Sequence, residues 1–280
     1  MSHLKIGAVN YLNMMPWFSE NPDMILFDTP REMNSALLEG KIDAACLSAI
    51  VGLKNKLTPL NPLCGIASDG PVQSVFIEPI INNFAQKNRW TNYLHKNSTE
   101  PYMTLFTTEA SQQSYWLFNR LFAQKGTKIK TITIPKEDAF LSPLDFEHKY
   151  DCSGTLKALL TIGDPALWRQ REFPSCTRID LAEFWQNQTG LPCVFAAWFA
   201  RKGLTTAENH DVCNMVLDGY HRWKSLSHAE KTQKCSAYSK EKQLPSDLYD
   251  SYLAKIQPLF TNHHRRTLAI YENLLKEEPH

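Results

Sequence analysis

The first fifteen residues constrain the fold most strongly, because an apolar segment there ends in an abrupt polar loop. Residues 4–9 are apolar or small almost without interruption, which is typical of a strand buried on both faces. The loop that follows carries two carboxamides, Asn10 and Asn13. In an open α/β sheet, ligands bind at the loops that leave the carboxyl ends of the strands. Asn13 is therefore the first candidate for a substrate contact; the alternative is that both asparagines form turns or cap a helix.

A strand–helix–strand pattern follows this loop. Residues 24–27 and 42–47 have the apolar character of strands, and Ser48 lies just beyond the second of them. Between them, Thr29 and Glu32 have the spacing of a capping box and predict the start of a helix. Two strands joined by one helix form a βαβ unit, so we expect parallel pairing and a right-handed crossover.

The pattern begins again in the middle of the chain. Residues 103–106 predict a strand, which a polar loop connects to a helix over 112–123. Residues 158–162 predict a buried strand that ends in Gly163-Asp164-Pro165, with proline in the first helical turn. Residues 135–153 show no regular pattern. The sequence therefore predicts a second α/β region.

The two regions meet at residues 68–71, where Ser-Asp-Gly-Pro interrupts extended chain, and the apolar run 193–200 offers a path back. We expect an α/β fold of two lobes joined by two crossings, with a cleft between the lobes that closes on a small ligand by hinge motion. The predicted first lobe comprises residues 1–74 and 195–280, and the second comprises residues 75–194. Beyond residue 205 the chain is predicted to be almost wholly helical, with helices over about 207–224, 228–241, 246–256 and 260–277. Ser227, Ser246 and Thr261 are the expected caps near three of these helix starts.

Polar residues collect at the predicted strand ends. Hydroxyls and free backbone N–H groups at helix starts bind carboxylates or phosphates, so this placement predicts a small, multiply anionic ligand. A simpler role is open for several of them, because serine and aspartate are common helix caps. The candidates are Asn13, Ser48, Ser74, Ser111, Ser114 and Asp164, whereas Asn10 is expected to form a turn.

Composition and motif content argue against several classes of function. The formal net charge of +1 does not favour nucleic acid or an anionic membrane, and no apolar run approaches the length of a transmembrane helix. The seven cysteines form no CxxC pair, and the histidines do not have metal-ligand spacing, so no metal site is expected. Nucleotide-binding and nucleophile-elbow motifs are absent from the sequence. The first residues lack the pattern of a signal peptide, and we expect a cytoplasmic protein.

Four segments together resemble the signature segments of the chorismate dehydratase (MqnA) family, which opens the futalosine pathway of menaquinone biosynthesis. The segments are residues 7–13, 65–74, 160–167 and 189–198, in the family's order. The resemblance implies a fold similar to type II periplasmic binding proteins. It also implies cofactor-free conversion of chorismate to 3-[(1-carboxyvinyl)oxy]benzoate and water, with chorismate as the small-molecule partner.

The same resemblance implies roles for individual residues. Asn13 matches the asparagine at the family's reacting centre, and Ser48 and Ser74 match substrate-binding hydroxyls. Ser111 with Ser114 matches a loop that receives a carboxylate, and Asp164 at its strand-to-helix junction is a further substrate-binding candidate. A carboxamide is too weakly basic to take a proton from carbon, so Asn13 is expected to orient the substrate.

The sequence departs from the family between these serines. Gln112-Gln113 stands where relatives have arginine and threonine, so an expected cationic partner is missing. Two alternative functions stay open. One is a small-anion binding protein of the same fold, and the other is the sibling enzyme 1,4-dihydroxy-6-naphthoate synthase.

Overall fold

The computed structural model describes residues 4–81, 87–90, 102–109, 112–122, 128–150, 156–245 and 247–277. The chain divides into two compact units, which are Met1–Val72 with Trp185–His280, and Gln73–Phe184. Each unit contains a mixed β-sheet of its own with helices.

The strands are β1 (Ile6–Val9), β2 (Ile25–Phe27), β3 (Ala44–Ser48), β4 (Thr58–Pro59), β5 (Cys64–Ser68), β6 (Val75–Pro79), β7 (Tyr102–Thr107), β8 (Lys128–Thr133), β9 (Leu156–Ile162), β10 (Ile179–Asp180), β11 (Cys193–Ala200) and β12 (Gln257–Leu259). The helices are α1 (Met15–Phe18), α2 (Pro30–Leu38), α3 (Ala49–Lys54), α4 (Gln112–Phe122), α5 (Pro143–Tyr150), α6 (Asp164–Glu172), α7 (Leu181–Thr189), α8 (Thr206–Ser225), α9 (His228–Lys242), α10 (Leu248–Ser251) and α11 (Asn262–Lys276).

The sheet of the first unit has the order β12-β5-β11-β3-β1-β2, and β4 pairs with β11. Strand β1 is parallel to β2 and β3, as the βαβ pattern predicts. Strand β11 lies antiparallel between β3 and β5. Strands β1, β3 and β5 therefore point the same way, and their carboxyl ends lie at one edge of the sheet.

Local signals account for helix α2 of this unit. The Thr29 hydroxyl accepts the backbone N–H of Glu32 at 3.2 Å, and the Glu32 carboxylate accepts the backbone N–H of Thr29 at 3.2 Å. The predicted capping box is confirmed. Helix α2 then contributes Met33 and Leu37 to the buried core cluster that also contains Phe199 of β11. Fully burying such a side chain stabilises the fold by about 1.5–3 kcal/mol.

The sheet of the second unit has the order β10-β6-β9-β7-β8. Strand β7 is parallel to β8 and β9, while β6 is antiparallel to β9. Helices α4 and α6 follow the parallel strands β7 and β9, so both helices start at the same edge of the sheet. On this sheet Phe106, Phe146 and Leu159 form a core cluster with Ile134.

Two local predictions are wrong. Residues 136–140 form a 3-10 helix and residues 143–150 form α5, although no regular structure is expected there. The missed signal is a helix start, in which Ser142 Oγ accepts the Asp145 N–H at 3.1 Å before a proline at the first helical position. The single helix predicted over 246–256 is instead α10 followed by a 3-10 turn at Leu253–Lys255, and strand β12 then pairs with β5.

The C-terminal helices otherwise follow their capping signals. Ser227 and Thr261 cap α9 and α11, and Ser246, also a predicted cap, lies outside the described residues. Thr205 caps α8 with Glu208 as its capping-box partner, and this cap is not among those predicted from the sequence. In the part of the chain that is described, no helix combines the length and hydrophobicity that a membrane crossing requires.

Candidate functional site

Three strand ends of the first unit converge at one edge of its sheet. Strand β1 pairs with β3 in the register Gly7↔Ala45, so Asn10 follows β1 at the level where Ser48 ends β3. Strand β11 lies between β3 and β5 and pairs with the carboxyl end of each. Ala196 of β11 lies opposite Ser48 of β3, and Cys193 lies opposite Ser68 of β5. The first loop of the chain and Ser48 are therefore brought to the same edge, as the topology of an α/β sheet requires.

Asn13 lies in a single 3-10 turn, Leu12–Met14, which directly precedes α1. The residue at the cap of this turn is Tyr11 and the residue at the cap of α1 is Met14, so Asn13 caps neither element. Its side-chain oxygen Oδ1 is buried and has no hydrogen-bond partner within the described structure. An unpaired buried carbonyl costs about 1–3 kcal/mol, so this arrangement favours a role outside folding.

A pocket of about 210 Å³ opens beside Asn13. Its wall combines the carboxamide with two lysines of the C-terminal helices and with aromatic and aliphatic side chains. The lining residues are Asn13, Pro16, Trp17, Tyr220, Trp223, Lys224, Lys231, Leu253, Ala254, Ile256 and Pro258. Sequence reasoning missed every member except Asn13, because no local motif marks the lysines as neighbours of the N-terminal loop.

Ser48 occupies the N-cap position of α3 without a side-chain capping hydrogen bond, and it is half-buried. The turn after β5 has a structural function. The Ser68 hydroxyl donates to the carbonyl of Gly70 at 2.9 Å, and Gln186 donates to the Asp69 carboxylate at 2.5 Å. Gly70 has φ of 104°, a left-handed conformation that favours glycine.

In the second unit, Ser74 and the β9–α6 junction are adjacent. The Gly163 N–H donates to the carbonyl of Ser74 at 2.7 Å, next to the Val75↔Ile162 pair of β6 and β9. Gly163, with φ of 63°, is the cap of α6, so the capping role weighed for Asp164 is wrong. Asp164 is instead the first residue of α6, where a carboxylate interacts favourably with the helix dipole.

The remaining candidates belong to the loop and helix after β7. Ser114 lies in the first turn of α4 and is buried, with 4% of its surface exposed. Ser111 lies outside the described residues. Because β7 and β9 are parallel neighbours, Ser114 and Asp164 both follow carboxyl ends at one edge of this sheet, the edge at which Ser74 precedes β6. Each unit therefore brings its own candidates to one edge.

The titratable groups argue against a thiol nucleophile at two cysteines. Burial raises the pKa of the Cys46 and Cys64 thiols well above the ordinary range, so both remain protonated in the core. Among the residues that the structure covers, no group of three histidine, cysteine, aspartate or glutamate side chains could hold a metal ion.

Known structures share this architecture. The periplasmic aliphatic sulphonate binding protein SsuA from Escherichia coli is 17% identical, with a TM-score of 0.62 over 98% of this chain and 86% of that chain. The protein AF1704 from Archaeoglobus fulgidus is 10% identical, with a TM-score of 0.67 over 98% and 97% of the two chains. The CA3427 gene product of Candida albicans, described as having the generic periplasmic binding protein fold, is 9% identical, with a TM-score of 0.57 over 100% and 92%.

These similarities show the fold, and the predicted α/β class of type II periplasmic binding proteins is confirmed. No curated protein matches the chain. A protein-family model described as menaquinone biosynthesis matches residues 4–277, nearly the whole sequence. The chain therefore belongs to the menaquinone biosynthesis family.

Proposed function

We propose that this protein is a chorismate dehydratase, which eliminates water from chorismate to give 3-[(1-carboxyvinyl)oxy]benzoate without a cofactor. Membership of the menaquinone biosynthesis family supports a role in that pathway. The observation that carries the finer assignment is the position of Asn13. It matches the asparagine of the dehydratase family's reacting centre, and it holds a buried, unpaired carbonyl oxygen in the loop beyond β1.

The reaction needs orientation more than it needs a strong protein base. Loss of the C3 hydrogen and the C4 hydroxyl makes the ring aromatic, so the elimination is strongly downhill. The carboxylate of the substrate's own enolpyruvyl group accepts the C3 proton, and the C4 oxygen leaves with a proton as water. The carboxamide of Asn13 supplies one acceptor and two donors, with which it can hold the leaving hydroxyl or the enolpyruvyl carboxylate in place.

Hydroxyl side chains at the other strand ends are the remaining substrate-binding groups of the proposal. Ser48 in the first unit, and Ser74 and Ser114 in the second, bind the polar groups of the substrate, together with Ser111. Asp164 follows Gly163, whose N–H donates to the Ser74 carbonyl, and it is a further substrate-binding residue of this proposal. Hydroxyl groups and the free backbone N–H groups at helix starts bind carboxylates, and chorismate carries two carboxylates.

The test is direct turnover. Purified protein is mixed with chorismate, and the product is followed by mass spectrometry and proton NMR. We expect a product lighter than chorismate by one water, with four ring positions carrying aromatic protons and one vinyl group. Saturable chorismate binding without any product would instead indicate a binding protein of the same fold. Absence of both binding and turnover with chorismate would refute the assignment and direct attention to the sibling naphthoate synthase.

A further inference from the structure

The pocket beside Asn13 joins the N-terminal loop to the helical C-terminal region of the same unit. Helix α8 packs along α1: Asn21 Nδ2 donates to the carbonyl of Met215 at 3.1 Å, and a Cβ at Gly219 would lie 2.4 Å from the Trp17 carbonyl oxygen. One helical turn farther on, Trp223 and Lys224 reach the pocket. Residues from the N-terminal loop and from the C-terminal helices therefore line the same wall of the pocket.

A second contact and a strand pairing hold the rest of the wall in place. The Tyr238 hydroxyl of α9 donates to the carbonyl of Asn10 at 2.9 Å. Strand β12 pairs with β5 in the register Gln257↔Ala67, which puts Ile256 and Pro258 beside the end of β5. The pocket thus connects the loop beyond β1 with strand β12, which pairs with β5.

The pocket is positively charged. Lys224 and Lys231 line it, and its described lining contains no carboxylate. Lys231 is half-buried and donates one N–H to the carbonyl of Lys224 at 3.1 Å. Because an ammonium group has three donors, this single contact leaves donors for a ligand.

Two carboxylates close in sequence to the lining residues, Glu20 and Glu230, are already engaged. Glu20 pairs with Lys234 at 2.9 Å. Glu230 accepts hydrogen bonds from the backbone N–H and hydroxyl of Ser227 at 2.7 and 2.6 Å. These Ser227 contacts are the main reason that the pKa of Glu230 is lowered, and Lys234 and Lys231 contribute less. The attraction of Lys231 for an anion is therefore not cancelled by an ion pair inside the pocket.

We infer that this pocket binds a carboxylate of a small ring-bearing acid, with Lys231 and Lys224 as its anion-binding residues and Asn13 beside them. The apolar and aromatic wall suits the ring, and the lysines suit the carboxylate. The inference rests on the proposed function, for which it names the residues that recognise the substrate.

The experiment measures both turnover and binding in matched variants. Lys231→Met and Lys224→Met remove one charge each, Lys231→Arg restores it, and Lys240→Met removes an exposed charge from the same helix α9 away from the pocket. KM and kcat are measured with chorismate. Dissociation constants are measured by titration calorimetry and NMR with chorismate, benzoate and neutral benzamide. Circular dichroism melting shows which variants fold.

For Lys231→Met we expect the KM for chorismate and the Kd for benzoate to rise by about tenfold, the size of one charge-assisted hydrogen bond. Benzamide binding and the melting temperature should not change, Lys231→Arg should recover most of the loss, and Lys240→Met should behave as wild type. Unchanged chorismate and benzoate binding in a folded Lys224→Met/Lys231→Met double variant would overturn the inference, even if the wild type dehydrates chorismate. Lysine-dependent benzoate binding without chorismate turnover would uphold the pocket and refute the dehydratase.

Discussion

The hydroxyl of Tyr238 donates a hydrogen bond to the backbone carbonyl of Asn10, 2.9 Å away, across 228 residues of sequence. Asn10 begins the loop that carries Asn13, and Tyr238 lies in the middle of α9. The position of the candidate reacting residue therefore depends on the C-terminal helices.

Replacing Tyr238 with phenylalanine should weaken both stability and catalysis. The free energy of unfolding should fall by about 1 kcal/mol, because one part-buried hydrogen bond is lost while the ring remains. The kcat/KM for chorismate should fall as well, because the loop before Asn13 loses an anchor. Urea denaturation and steady-state kinetics measure the two effects. Tyr102→Phe, at an exposed tyrosine, is the control, and equal kcat/KM in both variants would contradict the coupling.

Asn13→Ala should separate activity from stability. We expect kcat with chorismate to fall by about 100-fold or more, the usual effect of removing one orienting donor. The free energy of unfolding should not fall, because the lost Oδ1 is buried and unpaired. Asn10→Ala in the same loop is the matched control and should retain most of its turnover. If Asn13→Ala kept near-normal kcat, Asn13 would have no role in the reaction.

Gly219→Ala tests the packing of α8 on α1. A methyl group there would lie 2.4 Å from the Trp17 carbonyl oxygen, so the helices must move apart. Overpacking of this kind costs about 1–3 kcal/mol, which outweighs the gain of up to about 1 kcal/mol in helix propensity. Asn214→Ala, exposed on the same helix, should be neutral or slightly stabilising. Thermal and urea unfolding compare them, and equal stability would show that the contact is not restrictive.

A buried ion cluster should be critical for the second unit. Arg169 pairs with Glu78, Arg178 pairs with the other Glu78 oxygen at 3.0 Å, and Arg169 and Glu78 are 1% and 4% exposed. Glu78→Ala would leave two guanidinium groups without their anion, so unfolding free energy should fall by about 3–5 kcal/mol. Lys41→Met breaks an exposed pair with Glu39 and should cost less than about 1 kcal/mol. Similar losses in chemical denaturation would contradict this ranking.

Acid should weaken the contacts of Asp138. Hydrogen bonds from Lys149, at 2.7 Å, and from Tyr150 lower the pKa of this carboxyl, with the Lys149 bond as the larger cause. Because the folded-state pKa is the lower one, the stabilisation is complete above the unfolded value of about 4 and is lost as the pH falls through the folded value. The stability difference between wild type and Asp138→Asn should therefore shrink between pH 6 and pH 2. A difference that stays constant over this range would show that ionisation of Asp138 does not matter.

The sequence by itself determined the elements whose causes are local. The capping box at Thr29 and the apolar run that becomes β11 (Cys193–Ala200) need only neighbouring residues, and local sequence patterns predict both. The sequence also predicts the strand ends that precede Asn13, Ser48 and Asp164. A buried apolar run that stops at polar residues marks the point at which a strand leaves the core.

Only the tertiary structure decided which distant segments meet. Residues 257–259 become a strand because β5 offers an edge for backbone hydrogen bonds, a partner that helical periodicity does not reveal. Gly163 caps α6 in place of Asp164 because its left-handed φ and its bond to Ser74 follow from the pairing of β6 with β9. Lys224 and Lys231 reach the Asn13 pocket because α8 packs on α1, a contact between opposite ends of the chain that no local pattern encodes.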